Sequence, residues 1–302
     1  MRIAAIDIGT VTARLLIADV YEGVIGEVVR DIEITQLGSR LSQSGALSDT
    51  GMQNVYEAVR RFVVKISESK VDKIICTATS AARDAHNGEA FKVGLRACGI
   101  EPHIISGQTE ARLSFRGATY RRRGDDLLVI DPGGGSTEFI FRAGENDAVI
   151  AQSMDIGSRR LTDMFIRHDP VSPEELADIR TYIKKIAGEY FLKLPHAPRE
   201  LVAVAGTATT LVTMKYEMAD YDPLFVHGKV ITREDLSHSI EQLCAKTQKE
   251  REAMPGLEPK RASVILAGCL IIEQVLEISR LSMLTISDYD ILYGIILSVD
   301  LF

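Results

Sequence analysis

Apolar positions along this chain fall into short runs that end in glycine turns. "AAIDIGTVTARLLIADV" starts at residue 4, followed by the alternating "GVIGEVVRDIEI" and then "LGSRL". From residue 129 the order returns as "VIDPGGGSTEFIF", "DAVIAQSM" and "IGSRRL". In each copy an Asp ends an apolar strand, a glycine turn with Thr or Ser follows, and two more strands lead to a Gly-Ser-Arg helix start. Apolar spacings of three and four predict helices over 51–69 and 174–191. "KIICTAT" (73–79) reads as a buried strand, and "LVAVAGTATTLV" (201–212) as a strand that runs through a glycine turn into a helix. "ASVILAGCLIIEQVLEI" (262–278) is apolar nearly all round and predicts a buried helix. Such a duplication predicts a two-lobed α/β architecture, with two Asp-Gly turns facing each other across a cleft that holds the site.

The second turn carries more than a hairpin needs. One or two residues such as Asn-Gly suffice for a tight connection, yet Gly133, Gly134, Gly135, Ser136 and Thr137 stand between Asp131 and Glu138. Backbone N–H groups of a glycine-rich turn can converge into a nest for phosphate oxygens, and glycine lets the anion approach the backbone. Asp131 and Glu138 would repel phosphate, and Mg²⁺ bridging carboxylate and phosphate resolves that conflict. The competing reading is a bulged hairpin with surface acids. The first copy repeats the pattern at Asp7, Gly9, Thr10 and Thr12.

Three further stretches carry weaker signals. "AVAGTATTL" (203–211) would offer Gly206 and Thr207 at a helix N-terminus to an anion, or serve packing alone. "HIISGQTEARLSFRGA" (103–118) puts Glu110 in the first turns of an amphipathic helix, with Arg112 and Arg116 on one face. There Glu110 either activates a water or complements the helix dipole. Arg83, just after the strand at 73–79, suits bidentate phosphate contact or a structural role.

Composition narrows the class. The formal net charge is −7, which argues against a nucleic-acid binder with a basic face but leaves room for local cationic clusters. "YRRRGDD" (120–126) and "GSRRL" (157–161) are such clusters; taken alone each reads as a solvated surface run. Cys76, Cys98, Cys244 and Cys269 are scattered, with no zinc or disulfide pattern. The longest apolar stretches fall short of the ~20 residues of a membrane span, and the N-terminus lacks a signal-peptide pattern. No membrane association and a cytoplasmic location are therefore expected.

Taken together, "AAIDIGTVTARLLIADV", "TATSAARDAHNGEAF", "IISGQTEARLSFRGA", "VIDPGGGSTEF", "VAGTATTL" and "PGLEPKRASVILAG" resemble the exopolyphosphatase/guanosine pentaphosphate phosphohydrolase family (Ppx/GppA), within the actin–Hsp70–sugar kinase superfamily. The first and fourth stretches are shared with the wider superfamily; the second, third and sixth, in this order, are specific to the phosphatases. The resemblance implies an actin-like ATPase (ribonuclease H-like) fold in its short form. It implies a lobe over 1–108 with a C-terminal helix at about 288–302 packing back on it, and a lobe over 109–287. It implies Mg²⁺-dependent hydrolysis of a terminal phosphoanhydride, of inorganic polyphosphate or of guanosine pentaphosphate (pppGpp), with polyphosphate expected first, and a homodimer. Glu110 would be the base and Asp131 and Glu138 the metal ligands. Gly133, Gly134, Gly135, Ser136, Gly206, Thr207 and the Asp7–Thr12 turn would hold phosphates, with Arg83 and Arg261 along the anionic chain.

Three positions depart from the family pattern. Thr109 replaces the first of two adjacent acids, and the first turn reads Gly9-Thr10-Val11-Thr12 instead of Gly-Ser-Asn-Ser. "SDYDILYG" (287–294) lacks the usual Arg-Glu pair. Two other functions fit parts of the pattern. A small-molecule kinase of the superfamily would share the first turn, and a sensor would bind guanosine tetra- or pentaphosphate without cleaving it.

Overall fold

The computed structural model describes residues 1–122, 124, 126–143 and 148–302. Arg123 and Asp125 of "YRRRGDD" and Asp147 of "DAVIAQSM" lie outside the described residues. The chain forms two compact units, Met1–Gly117 with Ile291–Phe302, and Ala118–Asp290.

In the first unit, β1 (Arg2–Ile8), β2 (Thr12–Tyr21), β3 (Val24–Ile34), β4 (Lys73–Ala78) and β5 (Pro102–Ile104) form one sheet in the order β3-β2-β1-β4-β5. The three N-terminal strands are antiparallel, and β1, β4 and β5 run parallel. The helix Asp49–Glu68 starts where the Ser48 side chain accepts the Gly51 N–H, which satisfies one of the amides a helix start leaves unpaired. Its buried face, Gly51, Val55, Ala58, Val59, Phe62 and Ile66, recurs at three and four and packs with Ile6, Ile8, Leu15 and Ile17. Burying a side chain such as Phe62 contributes about 1.5–3 kcal/mol.

The second unit repeats the plan. β6 (Leu127–Pro132), β7 (Thr137–Ala143), β8 (Ala148–Met154), β9 (Glu200–Ala203), β10 (Val230–Thr232) and β11 (Met283–Ile286) lie in the order β10-β11-β9-β6-β7-β8. Five of them, β8-β7-β6-β9-β11, reproduce the first sheet's order and directions, so the repeat seen in the sequence is a repeat of topology. β10 is an addition, and the short β10 and β11 carry no alternation in the sequence that announces them. The helix Pro173–Phe191 opens on a reciprocal capping box between Ser172 and Glu175. The helix Ile265–Ser279 is buried on nearly every side, as its all-round apolarity predicts.

The division falls at 117/118 and 290/291, whereas the resemblance suggested 108/109 and 287/288. The helix Gly107–Ala118 belongs with the first unit because the helix Ile291–Leu297 presses on it. A Cβ at Gly294 would lie 1.9 Å from the Leu113 carbonyl oxygen, so the two backbones touch. Among the described residues no helix is long and apolar enough to cross a membrane.

Candidate active site

In the second unit the β6–β7 hairpin pairs Asp131 with Glu138 and Pro132 with Thr137, leaving Gly133–Ser136 as the connection. The carbonyls of this turn are held from one side by the start of the helix Ser158–Phe165. Ser158 N donates to Gly133 O (2.9 Å), Arg159 N and Arg160 N donate to Gly134 O (2.8 and 3.0 Å), and Arg160 Nε donates to Gly135 O (2.7 Å). Gly157 makes this approach possible, since a Cβ there would lie 2.4 Å from Gly134 O. Gly133 N donates to Asp131 O (2.9 Å), whereas no described residue accepts from the amides of Gly134, Gly135 or Ser136. With the carbonyls engaged by the helix, three donors are left for an anion, which is the arrangement of a nest.

Asp131 and Glu138 face each other in the ladder, so their side chains share one face of the hairpin. Both are buried, and Glu138 Oε1 accepts from Ser136 Oγ (2.8 Å) and Ser153 Oγ (2.7 Å). Two neighbouring buried carboxylates are a donor set for a hard, oxygen-seeking cation. Among the described residues no cluster of three or more His, Cys, Asp or Glu forms. A cation here would thus have two protein ligands and complete its shell with water and phosphate, the habit of Mg²⁺ rather than of Ca²⁺ or Zn²⁺. The residues fit the ion.

The third glycine turn lies beside the Gly133–Ser136 turn. Val204 N donates to Ile130 O (3.0 Å), and Thr207 Oγ1 reaches Pro132 O at 3.4 Å. The helix Ala205–Lys215 begins with Ala205 in the left-handed region (φ 63°), a conformation that costs a non-glycine residue energy and clusters at functional sites. A Cβ on Gly206 would lie 2.1 Å from Arg261 Nη1, so the guanidinium rests on the Gly206 backbone. Asp131, Gly133–Ser136, Gly206, Thr207 and Arg261 are therefore gathered at the C-terminal ends of the parallel strands β6 and β9, where open α/β sheets place their ligands.

The first unit builds a matching edge. Gly9 N donates to Thr12 O (2.8 Å), closing the turn between β1 and β2, and Thr10 O accepts from Gly38 N (2.9 Å). Gly38 takes the part Gly157 takes in the other unit, since a Cβ there would sit 2.2 Å from Thr10 Cγ2. Thr10 Oγ1 meets Ser80 Oγ at 3.3 Å. Asp7 is buried and paired with Arg14, opposite it on β2, at 2.5 Å. Its own carboxylate is thus tied to the sheet. Glu110, 8% exposed, stands in the first turn of the helix Gly107–Ala118. Arg83 Nη1 donates to Glu110 Oε2 (3.2 Å) and to Ile105 O (2.9 Å). Arg83 and Glu110, read separately in the sequence, are thus an ion pair.

Four functional neighbours escaped the sequence reading: Arg14 on Asp7, Ser153 on Glu138, and Gly157 and Arg160 on the glycine turn. Arg160 lies in "GSRRL", read as a solvated run. Its equivalence to "LGSRL" of the first copy was the available signal.

A family model described as the Ppx/GppA phosphatase family matches residues 16–301. The chain is 33% identical to Exopolyphosphatase 2 of Mycobacterium tuberculosis over 99% of this chain and 98% of the relative. It is 31% identical to a bifunctional 3-dehydroquinate synthase/phosphatase of Fusobacterium nucleatum, covering 97% of this chain and 46% of that longer protein. Among solved structures, the Ppx/GppA family member of Aquifex aeolicus matches with a TM-score of 0.81 at 31% identity, over 100% and 98% of the two chains. An exopolyphosphatase of Cytophaga hutchinsonii matches with a TM-score of 0.90 at 27% identity, over 99% and 97%. With its duplicated mixed sheets and glycine turns at corresponding strand ends, this chain belongs to the Ppx/GppA phosphatase family, a family of phosphoanhydride hydrolases on the actin-like ATPase fold.

Proposed function

We propose that this protein hydrolyses the terminal phosphoanhydride bond of inorganic polyphosphate in a Mg²⁺-dependent reaction and releases inorganic phosphate. The observation that carries the reading is the turn Gly133–Ser136, whose carbonyls are engaged while three successive amides are left to an anion, beside two buried carboxylates. The near-full-length likeness to proteins named exopolyphosphatase supports polyphosphate over guanosine pentaphosphate.

In this reading the amides of Gly134, Gly135 and Ser136, the start of the helix at Gly206 and Thr207, and Arg261 bind phosphate oxygens. Gly9, Thr10 and Thr12 hold further oxygens. Asp131 and Glu138 would hold Mg²⁺, which when bound supplies charge neutralisation to the transferring phosphoryl group. Arg83 grips one carboxylate oxygen of Glu110 and so fixes the direction of the other. Glu110 then orients the attacking water and takes its proton. The transition state of phosphoryl transfer is loose, so positioning and charge carry most of the catalysis. Water attacks directly and no thiol is needed. Cys76 and Cys269 are buried, and that burial holds their thiols far above the range in which they ionise.

The test is phosphate release from short and long polyphosphate, pppGpp and ATP in parallel, with and without EDTA. Release from polyphosphate that EDTA abolishes and Mg²⁺ restores is expected. Glu110→Gln should bind polyphosphate normally and turn it over about 10²-fold or more slowly. Near-normal turnover in that variant removes Glu110 from the mechanism, and full activity in a metal-free preparation removes the ion.

A further inference from the structure

Asp131, Glu138 and Ser153 stand in one row across three strands. Asp131 of β6 is paired with Glu138 of β7, and Glu138 with Ser153 of β8. Residues opposite one another in a ladder point to the same face of a sheet, so the row brings two carboxylates and a hydroxyl to one side. The carboxylates are withdrawn from solvent, with Asp131 6% and Glu138 1% exposed.

Two hydroxyls converge on a single oxygen of this row. Ser136 Oγ, at the end of the glycine turn, donates to Glu138 Oε1 (2.8 Å), and Ser153 Oγ donates to the same atom (2.7 Å). A carboxylate oxygen has about two acceptor sites, so these donors fill Oε1. Hydroxyl bonds to a charged acceptor are among the strong ones, and both are short. The donors are also independently placed. Ser136 belongs to the turn that enters β7, whereas Ser153 reaches Glu138 across 15 positions from the neighbouring strand.

A cation that meets this carboxylate therefore meets it at Oε2. That restriction distinguishes ions by their coordination. Ca²⁺ takes about 6–8 oxygens in a flexible shell and readily grips a carboxylate by both oxygens. Mg²⁺ demands a near-octahedral shell, and the two oxygens of one carboxylate lie too close together to occupy two of its corners. Filling Oε1 thus removes a ligand from Ca²⁺ and costs Mg²⁺ none. We propose that Ser153, together with Ser136, is a positioning residue that makes Glu138 a one-oxygen ligand and so sets the preference of the site for Mg²⁺ over Ca²⁺. The proposal rests on the reading that Asp131 and Glu138 hold a divalent ion, and goes beyond it by naming the residues that choose the ion.

Competition against Mn²⁺, which shares the octahedral oxygen shell of Mg²⁺, tests this without turnover. Metal-free whole protein is loaded with Mn²⁺, then titrated with Mg²⁺ or Ca²⁺ while electron paramagnetic resonance follows the released Mn²⁺. Only binding that is lost in Asp131→Asn is counted. Ser153→Ala leaves Oε1 with one hydroxyl donor. Its preference for Mg²⁺ over Ca²⁺ should fall about tenfold or more, since outer partners of metal ligands contribute about 10–100-fold to affinity. General damage to the site would weaken both ions together and leave their ratio unmoved. Ser136→Ala, which keeps the amides of the turn, should shift the ratio the same way and decides the matter should Ser153→Ala fail to fold. A parental ratio in the folded Ser153→Ala protein, with Mn²⁺ still bound, overturns the proposal and leaves the metal reading standing. Absence of saturable Mn²⁺ binding in the unsubstituted protein would refute the metal reading, and this proposal with it.

Discussion

Gly157→Ala puts one methyl group against the phosphate turn. The added Cβ would lie 2.4 Å from Gly134 O and Gly135 C and 2.5 Å from Gly134 C. Real Cβ contacts stay beyond 3.0 Å, so one side must move by at least 0.6 Å (3.0 − 2.4). The obstacle is backbone, tied down by three amide donors from the same helix, so nothing flexible can absorb the shift. Overpacking of this kind costs about 1–3 kcal/mol. At about 2–4 °C per kcal/mol for a unit of this size, Tm should fall by roughly 2–12 °C. Activity should fall further, since a displacement of about 1 Å in a positioning element costs about 10²-fold. Gly206→Ala is the control, because its obstacle is the guanidinium of Arg261, the movable end of a flexible side chain. That variant should keep its Tm and lose affinity for polyphosphate as Arg261 is pushed aside. Scanning calorimetry and phosphate-release kinetics on both variants read this out. A Gly157→Ala protein with parental Tm and turnover would refute the claim that the helix start pins the nest.

Arg14→Met removes the guanidinium that faces the buried Asp7 carboxylate. Breaking one side of a buried pair costs about 3–5 kcal/mol, so the urea midpoint should drop sharply, and an unchanged midpoint would count against the pairing. His227 is held below its ordinary 6.5, chiefly by burial and further by the charge of Arg122. The folded protein therefore binds fewer protons than the unfolded chain just below pH 6.5. The stability His227 contributes is present above that pH and is lost as pH falls through the lowered value. His227→Gln should flatten this acid-side decline in urea midpoints taken between about pH 5 and about pH 7.5, and an identical slope in the variant would assign the decline elsewhere.

What the sequence by itself determined is local and repeated. The duplicated strand–turn–strand pattern, the all-round apolar helix at Ile265–Ser279 and the capping of Pro173–Phe191 all follow from periodicity and short-range turn chemistry. The pairing of Asp131 with Glu138 belongs here as well, because a short connection sets the register of a hairpin. Only the tertiary structure decided which distant groups meet. Arg83 finds Glu110 across 27 positions, and Arg261 rests on Gly206 from another segment of the chain. Gly294 draws the helix Gly107–Ala118 into the first unit, and the rings of Tyr120, His227 and Tyr289 meet from three distant segments of the chain. None of these contacts leaves a period or a turn signature. They arise when packed elements bring their ends together, and the composition of each segment is equally compatible with other neighbours. The same holds for β10 and β11, too short to alternate visibly and made strands by the sheet they join. Glycine links the two levels. Gly38 and Gly157 look like ordinary turn residues in the sequence, and the fold requires them because a neighbouring backbone or side chain occupies the space a Cβ would need.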